Sequence, residues 1–297
     1  MPNRVAVTVL RSHRIWLPPI AGGAPIALPV SLGMNVQNNL SATARTGTSV
    51  TASGTTHTMG SWTSLIDPTT YDAYALYVAG EGLSGSGLRT SLLADIGGGP
   101  TGGGNERVLI PFLDFGYAQT IGNGGMANGW YFPLYIPSGL RISARAQAST
   151  ASDVVVLRVA AYQRPLFDMR VSRWAQYGAQ SGSSNGTSVT AANGAFGSWT
   201  NVGATTARAH HLWHVAYDGL ADTTLTATGV VVEIGFTQDG GDRSIGTFGF
   251  AESNSEWIMG PSNPIPLYHS VPAGTQLRAR IAAGHAEARG IIIYGGD

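Results

Sequence analysis

The chain has 297 residues, a formal net charge of zero and 11% charged residues, against a usual share of about 25%. All 17 basic residues are arginine, and lysine and cysteine are absent. This excludes a Walker-type phosphate lysine, a Schiff base or pyridoxal phosphate anchor, thiol catalysis, thiolate zinc and disulfides. A neutral chain without basic clusters is not built to bind nucleic acid. No window approaches the roughly 18 apolar residues of a membrane span, so a soluble protein without membrane insertion is expected. With so few charges, the surface is covered largely by Gly, Ser, Thr, Ala and Asn, which suits a subunit whose faces neighbours cover.

Residues 1–27 form an extended N-terminal arm in which Leu17-Pro18-Pro19-Ile20 and Gly22-Gly23-Ala24-Pro25 preclude regular structure. It docks either on its own domain or on a neighbouring subunit. Arg4, Arg11, His13 and Arg14 interrupt any signal-peptide core, so the chain is expected outside a cell only through lysis or within a particle.

From residue 28 to 164, short runs rich in Val, Ile, Leu and Tyr predict strands at 74–79, 91–96, 107–112, 130–136, 140–146 and 154–161. Pro133 and Pro137 belong at strand ends or on an edge. From 165 to 297 the plan repeats, with strands at 212–217, 230–236, 245–250, 265–268, 276–281 and 290–294. Residues 170–180 read as a short helix or an irregular loop. Few residues separate the halves, so they should pack closely.

The halves are a duplication. Gly47-Thr48-Ser49-Val50-Thr51-Ala52 returns as Gly186-Thr187-Ser188-Val189-Thr190-Ala191, and Gly60-Ser61-Trp62-Thr63 as Gly197-Ser198-Trp199-Thr200. Asp95-Ile96-Gly97 matches Glu233-Ile234-Gly235, and Ile136-Pro137-Ser138-Gly139 matches Val271-Pro272-Ala273-Gly274. The offset drifts only from 139 to 135, which marks two domains with loop insertions. The fold class is therefore all-β: two tandem, duplicated antiparallel β-sandwich domains, jelly-roll-like, behind the arm.

A residue kept in both copies serves the shared fold, while one unique to a copy serves a site. Trp62 and Trp199 match, and with Trp130 and Trp257 they are the candidate glycan or interface aromatics, the plain alternative being core packing. Asp95 with Arg145, and Glu233 with Arg280, are candidate structural ion pairs across each sheet. His210 and His214 would chelate a metal on a helix, whereas on a strand they share a face about 13 Å apart, too far for one ion. Glu81 and Asp218 fall in Gly-flanked turns and read as solvated. The run Gly97 to Gly104 lacks the lysine and helix of a phosphate cradle, and no nucleophile elbow or facing carboxylate pair is present. No catalytic residue, cofactor or metal is expected.

Asp95-Ile96-Gly97, Glu106-Arg107-Val108-Leu109-Ile110-Pro111 and Ile136 to Arg145 resemble strings in tandem β-sandwich virion proteins of tailed bacteriophages and phage-like particles. The Val-Leu-Ile-Pro portion is missing from the second copy. The resemblance implies a non-enzymatic head or tail spike, fibre or decoration protein on the particle surface, assembled in the host cytoplasm. Its implied partners are other virion proteins, further copies of itself and host surface polysaccharide. A free two-site carbohydrate-binding module is the alternative.

Overall fold

The computed structural model describes residues 36–40, 47–83, 90–118, 128–164, 171–218, 228–252, 258–259 and 264–297. The arm at 1–27 and Trp257 lie outside them. Among the described residues every regular element is a strand. The N-terminal half holds β1 (Val36–Asn38), β2 (Thr48–Thr51), β3 (Thr63–Ile66), β4 (Ala73–Leu83), β5 (Thr90–Gly99), β6 (Arg107–Ala118), β7 (Asn128–Ile136), β8 (Arg141–Ala148) and β9 (Val154–Tyr162). The C-terminal half holds β10 (Trp174–Tyr177), β11 (Thr187–Asn193), β12 (Thr200–Asn201), β13 (His210–Asp218), β14 (Thr228–Gln238), β15 (Gly241–Glu252), β16 (Ile258–Met259), β17 (Leu267–Val271), β18 (Leu277–Ala283) and β19 (Ala288–Gly296).

In the N-terminal half one sheet runs β1–β9–β4–β7, with β2 also on the edge of β9, and the other runs β3–β8–β5–β6. After β2 the chain visits the second, first, second, second, first, second and first sheets in turn. That alternation is a jelly roll. The C-terminal half repeats it: β10 and β11 lie along β19, which pairs with β13 and then β17, while β12 lies on β18, followed by β14 and β15. Named strands pair antiparallel throughout, apart from a short parallel contact between β11 and β18.

The repeated strings have physical reasons. Thr48 to Thr51 pair with β9 and Thr187 to Thr190 with β19, while Ala52 and Ala191 cross over to bridge Ala146 and Ile281 in the opposite sheet. Val50 and Val189 point into the two cores with no exposure. Gly47 lies directly on the backbone of Leu157, and Gly186 on that of Ile291, leaving no room for a Cβ. The Pro-x-Gly turns are locked identically. Thr69 Oγ1 donates to Pro137 O at 2.9 Å and accepts from Leu140 N, while its carbonyl accepts Gly139 N. Thr206 repeats all three contacts with Pro272, Thr275 and Gly274. Gly139 and Gly274 adopt φ of 80° and 76°, which a side chain would strain.

Two sequence expectations change. Residues 174–177 are a strand rather than a helix or loop: they complete a sheet edge along β19, and Trp174 and Tyr177 are both buried. Tertiary pairing outweighs local propensity there. Glu81 and Asp218 lie in strands rather than turns: Glu81 is in β4 opposite Val156, and Asp218 is fully buried at the end of β13, in register with Gly290. Pro133 sits inside β7, an edge strand, beside a bulge where the missing N–H costs no ladder bond.

Candidate functional site

The two rolls meet edge on face. Strands β6 and β7 are edges of the two N-terminal sheets, and both are covered by the outer face of the sheet containing β10, β19 and β13. This disposes of exposed edges that would otherwise template aggregation. One buried cluster spans the contact, joining Leu76, Trp130 and Phe132 of the first roll to Trp174, Leu212, Ala216, Ile292 and Tyr294 of the second. The interior of the C-terminal roll, around Trp213, Phe248 and Ile293, is a separate cluster. Strand β13 therefore has two buried faces, one toward its own core and one toward the seam.

Directional bonds fix the seam. Trp130 Nε1 donates to Val215 O at 3.1 Å, and His214 Nε2 donates to Tyr131 O at 2.8 Å. The Tyr294 hydroxyl donates to Phe112 O at 2.7 Å and accepts Asp114 N at 3.1 Å. Phe112, at φ 49°, lies with Pro111 in a bulge opposite Asp95 that frees these edge groups. Strand β15 pairs regularly with β14 at the corresponding place, so this bulge belongs to the first roll alone. The Phe132 ring is ringed by Trp174 at 4.9 Å, His214 at 5.1 Å and Tyr294 at 6.5 Å. At the margin, Gln147 Nε2 donates to Ser181 O and Ser184 Oγ, and His57 Nδ1 lies 3.0 Å from the same hydroxyl.

Burial sets the electrostatics. His214 is wholly enclosed, its Nδ1 has no hydrogen-bond partner, and desolvation pushes its pKa down to about 4, partly opposed by the bond to Tyr131. Burial likewise pushes the Tyr294 hydroxyl well above its usual value, with the Asp114 charge adding to the effect. The histidines do not share a face, because a bulge between His210 and Leu212 turns them apart. His210 Nε2 points to the Tyr177 hydroxyl at 2.6 Å, with Trp213 beside it, while His214 faces the seam and His211 is exposed. No group of three metal-ligating side chains occurs among the described residues.

Of the four candidate tryptophans, Trp130 is buried in the seam and Trp257 is outside the described residues. Trp62 lies against Gly97 with the Arg145 guanidinium 4.7 Å over its ring. Trp199 lies against Gly235 under Arg280 at 4.6 Å. A cation thus lies over a face of each duplicated indole. The same arginines bond the acids: Arg145 Nε to Asp95 Oδ2 at 2.9 Å, and Arg280 Nε to Glu233 Oε2 at 2.7 Å, both as register partners. Asp95 does more than hold register, since its Oδ1 accepts Phe112 N at 3.0 Å and so supports the bulge that receives Tyr294.

Ser184, at φ 59°, is the serine nearest to a catalytic pairing through His57, yet it is fully buried between the rolls and beyond the reach of a substrate. The cleft beside β10, lined by Ala175, Tyr177, Gly178, Thr187, Gly203 and Ala207, brings no acid or imidazole to its wall. Among the described residues no helix is long and apolar enough to cross a membrane.

No protein-family model matches the chain, and no curated protein matches it. Among solved structures, "Crystal Structure of the STIV MCP" overlaps 88% of this chain and 96% of that one at 8% identity, with a TM-score of 0.34. "Structure of the Macrobrachium rosenbergii Nodavirus" overlaps 100% and 99% at 9% identity, with a TM-score of 0.18. Likenesses this loose carry no weight here; the jelly-roll assignment rests on strand order alone.

Proposed function

We propose that the chain is a non-enzymatic structural subunit of a tailed phage or phage-like particle. The observation that supports this reading is the seam: two jelly rolls of one topology are welded edge on face through a continuous core. Such a body suits a building block better than a pair of independent binding modules. Jelly rolls serve in capsids and lectins alike, so topology alone does not choose between them. Against the free lectin stands the cation over each duplicated tryptophan. In this reading residues 1–27 anchor the subunit to other virion proteins, and the rolls form part of a head or tail spike, fibre or decoration that assists contact with host surface glycans.

Deleting residues 1–27 should abolish incorporation into particles while both rolls stay folded by circular dichroism; normal incorporation of the truncated chain would refute the anchor. Binding of labelled protein to host cells, with and without their surface polysaccharide, tests the attachment role. Binding indifferent to stripping would remove the glycan from the proposal and leave the structural subunit.

A further inference from the structure

Where β4 begins and β7 finishes, two tyrosines and a carboxylate come together at the surface of the N-terminal roll. Register pairs Ala73 with Ile136 and Ala75 with Pro133, and the bulge between those pairs sets Tyr74 and Tyr135 side by side. Their rings lie 5.4 Å apart at 42°, with Tyr135 47% exposed and Tyr74 half-buried. The Tyr135 hydroxyl hydrogen-bonds to Asp72, whose Oδ1 accepts Ser138 N at 2.8 Å. Among the described residues no arginine pairs with this half-buried carboxylate, whereas Asp67, Asp95 and Asp242 each have one.

The duplication shows that the shared fold does not need this group. The C-terminal roll repeats the bulge, between the pairs His210–Val271 and Leu212–Tyr268. It also repeats the lock, with Thr206 on its own Pro-x-Gly turn. Yet Asp72, Tyr74, Tyr135 and Ser138 are replaced there by Ala209, His211, Ser270 and Ala273. Bulge and lock therefore explain where these side chains stand, not which ones they are. They also hold them still: Thr69 Oγ1 grips Pro137 O, just beyond Tyr135, and Gln37 Oε1 accepts Thr70 N at 2.8 Å, just before Asp72. Little order would have to be gained on binding.

Aromatic faces beside an acceptor-only group suit a sugar. The negative face of a tyrosine attracts the C–H groups of a pyranose ring. An ionised carboxylate has about four lone-pair sites; Ser138 N and the Tyr135 hydroxyl take two, and the rest can receive sugar hydroxyls in charge-assisted bonds. A cage for an organic cation needs a gap between its rings, whereas rings 5.4 Å apart touch and make one platform. An acidic sugar would meet the uncompensated charge of Asp72. We infer that Tyr135, Tyr74 and Asp72 form a subsite for a neutral hexose of a surface polysaccharide. This rests on the glycan-contact part of the particle reading and names its site.

The test is affinity electrophoresis of the full chain through gels holding dextran, galactan, mannan or polygalacturonate, with tetramethylammonium titrated in parallel. Wild type, Tyr135→Ala, Asp72→Asn and Tyr268→Ala are compared, each melted first to confirm its fold. Tyr268 is 69% exposed on β17 of the other roll and serves as the control. The wild type should be retarded by at least one neutral polymer and not by polygalacturonate. Tyr135→Ala should weaken that binding roughly ten-fold, and Tyr268→Ala should leave it unchanged. Asp72→Asn should weaken it and also narrow the preference for neutral over acidic polymer, which a merely structural role would not do. Neutral-polymer binding untouched by Tyr135→Ala overturns the subsite and leaves the glycan reading standing. A wild type that binds no neutral polymer overturns both, and binding of tetramethylammonium in its place would assign the platform to an organic cation.

Discussion

His214 Nε2 donates to the carbonyl oxygen of Tyr131 across 2.8 Å, so the one hydrogen bond of a fully buried imidazole is made to the other jelly roll. The proton therefore sits on Nε2, and Nδ1 is bare in an apolar seam. Charging this ring would place an N–H without an acceptor between Phe132 and Trp174.

Stability should consequently fall with acid. The folded pKa of about 4 lies below the ordinary 6.5, so between those values the unfolded chain binds the proton that the folded chain refuses. The His214 contribution is complete above pH 6.5 and is lost as pH falls toward 4, by about 3 kcal/mol in all. Urea unfolding from pH 8 to 4 reads it, and His214→Phe should flatten that part of the slope. Equal slopes in the two proteins would show that His214 is not the titrating group.

Tyr294→Phe keeps the ring against Phe132 but removes both bonds to the β6 bulge. Leaving Phe112 O and Asp114 N unmet should cost about 1–3 kcal/mol. Hydrogen exchange at the Asp114 amide should quicken in the same variant. An unchanged exchange rate would place that amide's protection elsewhere.

The two ion pairs should answer differently to neutralisation. Glu233→Gln weakens the bond to Arg280, whereas Asp95→Asn weakens the bond to Arg145 and also the hold on Phe112 N. We expect Asp95→Asn to be the more destabilising by about 1 kcal/mol. Equal losses would mean that Asp95 serves register alone.

Gly47→Ala and Gly186→Ala each press a Cβ into strand backbone, while Gly54→Ala meets nothing within 4 Å. The first two should lose roughly 1–3 kcal/mol, and the third should stay within about 0.5 kcal/mol of wild type. Thermal melts of the three variants decide it.

The strands were readable in the sequence because each carries its own apolar run between Gly and Pro breaks, and the duplication separated the halves. The order of strands was not, since it depends on partners such as Val50 and Val155 that lie about a hundred residues apart. The seam was hidden for a sharper reason. Trp130 and Phe132 look like any inward-facing pair of a strand, and nothing local says that part of their surroundings comes from Val215 and Tyr294. Two signals existed in the differences between copies: His214 replaces Tyr77, and the Val-Leu-Ile-Pro string with its Pro111 occurs once. The first marks the face that is covered and the second the bulge that covers it. What the sequence does not show is that Arg145 and Arg280, the partners of Asp95 and Glu233, also lie over the indoles of Trp62 and Trp199.

The continuous cluster around Phe132 has a bearing on the gene as well as the protein. A duplicated sequence looks like two interchangeable parts, yet the N-terminal roll finishes its interior with side chains of the other half, among them Leu212, Ile292 and Tyr294, encoded far beyond its own last strand. Cut after residue 164, that half would present Trp130, Phe132 and Leu134 to water. At this seam the repeat is not modular: excising either half would uncover the face that its sibling now buries.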